Sequence, residues 1–206
     1  MNTALLVSMT GFAFVSAITP GPNNILLMSS GALFGWQRSL PHLAGILLGF
    51  AILMSSAVFG LGSVVAQWPW LVTVVRIIGA AWLAWMSLRY FGAALQGPRP
   101  TAESSPAPIS RPFRFIEAVL FQWVNPKALI LVISAAGAYI AVADSLVQRA
   151  MIIVGIFFVA GLISGSLWMI AGDALNRHMS SGRSAKYVNF AMGALILLTA
   201  LYILLG

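Results

Sequence analysis

The amino-acid sequence predicts an all-α integral membrane protein of six transmembrane helices. Three observations carry that expectation. The 206 residues are 60% hydrophobic and 7% charged, with a mean hydropathy of +0.96, where a water-soluble domain carries about 25% charge. Six apolar stretches (4–33, 41–66, 70–94, 116–141, 147–171 and 187–205) approach or exceed the length of a bilayer span. The charge is also one-sided. Arg38, Arg89, Arg99, Arg111, Arg114, Arg177, Arg183 and Lys186, eight of the eleven Lys and Arg, fall at odd-numbered loops, against Arg149 alone on the other side. The positive-inside rule then puts those loops in the cytoplasm and both termini outside. Because the net charge of +7 follows this rule, it does not point to nucleic acid.

Segment 1 contains "AITPGPNNILLM", residues 17–28. Proline lacks an N–H and clashes with the preceding turn, which costs a helix interior about 3 kcal/mol. The residue before each proline also avoids helical angles. Helical geometry is therefore expected to fail around Thr19–Pro22. Freed backbone groups at membrane depth must face protein or a polar cavity. Pro20, Gly21, Pro22, Asn23 and Asn24 are candidate site residues on this ground. The break offers carbonyls to a cation and helix N-terminal N–H groups to an anion. A zwitterionic amino acid presents both charges. Asn23 is expected to cap the second half-helix, and Asn24 to face a neighbouring helix.

Segment 2 carries Gly45 and Gly49, a spacing that lets helices approach closely. Segment 3 carries Arg76, which either snorkels outward or pairs with Asp144. The Pro/Ser-rich linker 96–115 follows, dividing one membrane domain (1–206) into halves at 1–95 and 116–206. Three segments per half require the halves to have opposite orientations, the arrangement of inverted-repeat transporters. Segment 4 contains "FQWVNPKALI", with a second break at Asn125 and Pro126. Lys127 beside it lies near mid-span, where a charge costs about 2.5–3.5 kcal/mol and marks a substrate or ion path. Its ammonium is suited to hold a substrate carboxylate or to give and take a proton. Gln122 and Asn125 lie one turn apart and can line the same cavity. Segment 5 repeats the small-residue pair at Gly161 and Gly165. Each pair serves either packing within one chain or a homodimer contact. Asp173 is either a partner of Arg177 or a proton site, and Glu117 pairs with Arg114.

Other chemistry is poorly supported. There is no cysteine, so no disulfide or thiolate site. His42 and His178 lie far apart and read as interfacial polar residues, not metal ligands. No metal or cofactor is expected. The start "MNTALLVSMTG" has no Lys or Arg ahead of its apolar run, unlike a cleaved signal peptide.

The two motifs "TPGPNN" and "FQWVNPKA", in that order, resemble the LysE/RhtB amino-acid exporter family. The likeness covers essentially the whole chain, and the stretch from "TPGPNN" to "LLGF" is most similar to the branch exporting neutral amino acids, including cysteine and O-acetylserine. The resemblance implies a bacterial inner-membrane transporter driven by the proton gradient. It carries over Pro20, Gly21, Pro22, Asn23, Asn125, Pro126 and Lys127. Two other classes stand beside an exporter. An amino-acid or ion channel would show flux without saturation. An intramembrane enzyme would need acid, base or nucleophile groups at depth, and the sequence holds neither GxSxG nor HExxH.

Overall fold

The structure, a computed structural model, describes residues 3–96, 111–178 and 182–205. The described residues form helices α1 (Thr3–Ile18), α2 (Pro22–Phe34), α3 (Trp36–Ser56), α4 (Gly62–Gln67), α5 (Trp70–Gln96), α6 (Phe115–Val124), α7 (Pro126–Ala138), α8 (Leu146–His178) and α9 (Gly182–Leu205). No strand occurs among them. Most of the expected linker (97–110) lies outside the described residues.

Four runs are long and apolar enough to cross a bilayer: Trp36–Gln67, Trp70–Leu95, Leu146–Leu175 and Lys186–Leu205. The other two crossings are broken. α1 and α2 meet at a bend of 52°, and α6 and α7 at 68°. Each pair together is long and apolar enough for one broken span, which brings the candidate spans from four to six. Both breaks fall at the proline motifs. Pro22 and Pro126 each open a second half-helix, where the missing N–H would have had no partner anyway.

Two spans differ from the sequence expectation. The second is bent at Gly60, whose φ of 133° lies in a region open to glycine alone. A lone glycine in an apolar run gives little warning of this. The fifth continues to His178, beyond the apolar stretch ending near 171. Hydropathy marks where the lipid ends, and "GDALNRH" stays helical past it.

Apolar packing forms three clusters among the described residues. One joins Met9 of α1, Leu53 and Met54 of α3, Val132 of α7 and Ile153 of α8. A second joins Leu26 of α2, Leu83 of α5, Phe121 of α6 and Met192 of α9, and a third joins Leu27 of α2, Leu43 and Leu47 of α3 and Met169 of α8. Lipid is as apolar as these side chains, so close packing must hold the helices together. The tightest seam is between α2 and α8. A Cβ on Gly31 would overlap the Met169 carbonyl, and one on Gly172 would overlap the Met28 carbonyl. Side-chain bonds fix α2 further, from Ser29 to Tyr90 of α5 and from Ser30 to His42 of α3. The glycine pairs noted in the sequence pack within the chain. Gly45 and Gly49 lie against the backbone of α6, and Gly161 and Gly165 against Leu47, Leu43 and Leu27.

Candidate functional site

The first break leaves the carbonyls of residues 17–20 without helical partners. Each one accepts a hydrogen bond from a side chain. Asn24 Nδ2 and Ser164 Oγ donate to Ala17, both at 2.8 Å. Trp168 Nε1 donates to Ile18 at 3.2 Å. Asn24 Nδ2 also donates to Thr19 at 3.0 Å. Lys127 Nζ donates to Thr19 at 2.7 Å and lies 3.4 Å from the Pro20 carbonyl. The break is thus held by groups from α2, α7 and α8. The donor side is less occupied. Ile25 N–H returns to Gly21, while the N–H groups of Asn23 and Asn24 belong to the unpaired first turn.

Lys127 links the two breaks. Its stem crosses Gly21, where a Cβ would lie 2.7 Å from Lys127 Cδ. Gly21 has φ −171°, an extended angle any residue adopts. The lysine stem is therefore what keeps this position small. A second bridge is a reciprocal amide pair. Asn23 Nδ2 donates to Gln122 Oε1 at 2.8 Å, and Gln122 Nε2 donates to Asn23 Oδ1 at 3.1 Å. Gln122 is fully buried, so neither amide could lose its partner cheaply. Asn125 caps α7 through Ala128 N–H at 3.4 Å.

A cavity of about 80 Å³ lies between the breaks. By this measure one water needs about 10–15 Å³, so the space suits several waters or one small solute. Gly21, Asn23, Asn24, Asn125 and Lys127 lie on its wall, with Ser16, Ser164 and the apolar side chains of Phe50 and Phe157. Among the described residues Lys127 is the one ionisable group there. Pro20, Pro22, Gln122 and Pro126 stand behind the wall, shaping the backbone or holding Asn23.

Several sequence expectations change. Asn23 does not cap α2, whose N-cap is Gly21; its side chain is committed to Gln122. Asn24 reaches back to α1 instead of outward to another helix. The carbonyls offered to a substrate cation already hold the Lys127 ammonium. Asp173 lies off the cavity, its carboxylate beside Gly35 at the α2–α3 corner; its expected partner Arg177 has a side chain outside the described residues. Arg76 binds the Ile203 carbonyl near the end of α9 at 2.9 and 3.1 Å, not Asp144. Glu117 pairs with the Arg111 side chain at 2.6 and 2.8 Å and with the Arg114 backbone N–H. That carboxylate holds the Arg111 guanidinium above the ordinary arginine range. His42 is buried and stacked on Phe113, not interfacial.

Ser164 and Trp168 were not singled out in the sequence. Their signal was spacing. They lie one turn apart on the helix that carries Gly161 and Gly165, and polar groups on such a face meet a neighbouring backbone.

Residues 14–206 match the model of the family described as LysE type translocator. Among curated relatives, the cysteine/O-acetylserine efflux protein of Salmonella typhimurium strain LT2 is 25% identical over 177 residues, covering 86% of this chain and 87% of that protein. The protein of the same name from Escherichia coli strain K12 is 26% identical over the same coverage. No solved structure matches.

Proposed function

The chain belongs to the LysE type translocator family, and on that premise we propose that it exports small neutral amino acids or close derivatives in exchange for protons. Translocators move a substrate unchanged, so the protein is not an enzyme. Its apolar spans and bacterial relatives suit a multi-pass protein of the inner membrane. The relatives' names supply the substrate class.

The observation that carries the reading is the Lys127 ammonium on the Thr19 carbonyl, at the wall of a cavity bounded by both breaks. These carbonyls hold one cation at a time. A substrate ammonium can take them only if Lys127 leaves. The substrate carboxylate then meets the free N–H groups at the start of α2. Lys127, displaced into an apolar wall, gives its proton to the side that the cavity faces. After the substrate leaves on the opposite side, a proton from that side restores the ammonium to Thr19. One zwitterion goes out and one proton comes in. The mutual exclusion of two cations at one site couples the two fluxes.

The helix pairing supports an inverted repeat. α1 packs on α8 as α6 packs on α3, and α5 packs on α9. The eight basic residues at odd-numbered loops support a cytoplasmic linker with both termini outside.

The test is a panel of neutral amino acids in reconstituted vesicles under an imposed proton gradient. Saturable counterflow with proton movement in the opposite direction is expected. Transport that ignores the proton gradient would remove the coupling, and flux that never saturates would indicate a channel.

A further inference from the structure

A second recess, of about 540 Å³, opens between α5 and α6 with α2 as its floor. It lies away from the cavity at the breaks. Its deeper walls are aromatic. Trp82 lies tilted against Phe121 at 4.6 Å and meets Phe113 edge-on at 5.4 Å. Its lips, Trp85 and Leu120, are 50% and 61% exposed. Its charged groups gather at one end, where α5 finishes and α6 begins: Arg89, Arg111 and Glu117. The recess is therefore amphipathic along its length, apolar within the span and charged near its end.

The charged groups have bonding capacity left over. A guanidinium has five N–H donors. Arg111 commits three, to the Pro112 carbonyl and both Glu117 oxygens. Arg89 lies over the Trp85 ring at 5.1 Å and has no acceptor among the described residues. Glu117 Oε2 accepts from both Arg111 and the Arg114 N–H, while among the described residues Oε1 accepts only from Arg111, which leaves it a second lone pair. The end thus offers several donors fit for a phosphate and one carboxylate acceptor fit for an ammonium.

We propose that this groove is a binding site for a phospholipid whose headgroup carries both a phosphate and a primary ammonium, a phosphatidylethanolamine. Arg89 and Arg111 hold the phosphate, Glu117 the ammonium, and an acyl chain lies along Trp82, Trp85 and Phe121. A purely anionic headgroup would leave the Glu117 oxygen unmatched and repel it. A quaternary ammonium cannot donate to it. The assignment does not depend on the transport mechanism.

Tryptophan quenching by bromine-labelled lipids tests it. The full chain is placed in phosphatidylcholine vesicles with a small equal fraction of dibrominated phosphatidylethanolamine, phosphatidylglycerol or phosphatidylcholine. The share of quenching due to Trp85 is taken by difference from Trp85→Phe. About tenfold tighter association is expected for the ethanolamine lipid than for the choline lipid, the worth of one charge-assisted hydrogen bond. Glu117→Gln should erase that preference. Arg89→Gln, remote from the α6 cap, should weaken all three lipids while the chain stays folded. Equal quenching by the three lipids, or preference for the glycerol lipid, would overturn the assignment. So would no quenching at Trp85, which would mean that a second copy or the linker covers the groove. Displacement of the lipid by soluble phosphoethanolamine at similar concentration would also overturn it, in favour of a free phosphate ester.

Discussion

Lys127 on one broken helix and Thr19 on the other are joined by a 2.7 Å hydrogen bond across 108 positions of sequence. An ammonium at membrane depth is tolerated because a break in another span supplies its acceptors. The same break is tolerated because an ammonium satisfies its carbonyls. Each costly feature removes the cost of the other.

Lys127→Met keeps the side-chain bulk and removes the charge. The variant is expected to insert and fold with a stability loss of about 1 kcal/mol, the net worth of one hydrogen bond. Export should fall by about a hundredfold, within the range set by a lost charged contact at a binding site, and the remainder should not respond to pH. Vesicle transport between pH 6 and pH 8 checks this (the range is approximate and brackets neutral pH). Wild-type rates throughout would refute it.

Gly21→Ala acts through the lysine, because the backbone at position 21 accepts any residue while the new Cβ meets Lys127 Cδ. Export is expected to drop about tenfold, as for one weakened contact. In a Lys127→Met background the same change should have little further effect, since the two share one interaction. Additive losses in the double variant would show that Gly21 matters for another reason.

Asn23→Ala leaves the buried Gln122 Oε1 without its donor, while Gln122 Nε2 keeps the Ala118 carbonyl. Stability should fall by about 1–3 kcal/mol. Replacing Gln122 with Ala as well should cost less than the sum of the single changes. Denaturation of the four proteins in detergent gives the coupling, and a coupling near zero would count against the amide pair.

The topology is open to a labelling test. A cysteine introduced at Ser104 would be the only one in the chain. It should resist an impermeant maleimide in intact cells and react after permeabilisation. Labelling in intact cells would reverse the orientation proposed from the basic residues.

The class of fold and both breaks were legible in the sequence because they depend on local chemistry. Hydropathy sets the spans, and proline ends a helix wherever it falls. What each polar residue binds was much less legible. Asn23 and Gln122, or Arg76 and the Ile203 carbonyl, are partners only after distant helices pack. The sequence marked Asn23, Asn24 and Lys127 as polar groups at depth that needed partners. It did not reveal that the carbonyls freed at Thr19 and Pro20 would meet the lysine. Ser164 and Trp168 were missed for the same reason, because a donor to a neighbouring backbone leaves no pattern in its own segment beyond a polar face.

The glycine seam between α2 and α8 has a consequence for where the molecule opens first. Gly31 and Gly172 bring the two backbones into contact, and bonds from Ser29 and Ser30 hold the same helix to α5 and α3. Among the described residues α7 is clasped only at its first turn, by the Lys127 bond to Thr19 and by Gly79 of α5 against Pro126, while Gly137 near its end meets nothing within 4 Å. Local opening is easiest where buried contacts are fewest. In deuterated buffer the amides of α7 should therefore exchange before those of α2, although both helices have 13 residues and start at a proline. Equal exchange rates in the two half-helices would mean that the seam does not set the order of opening.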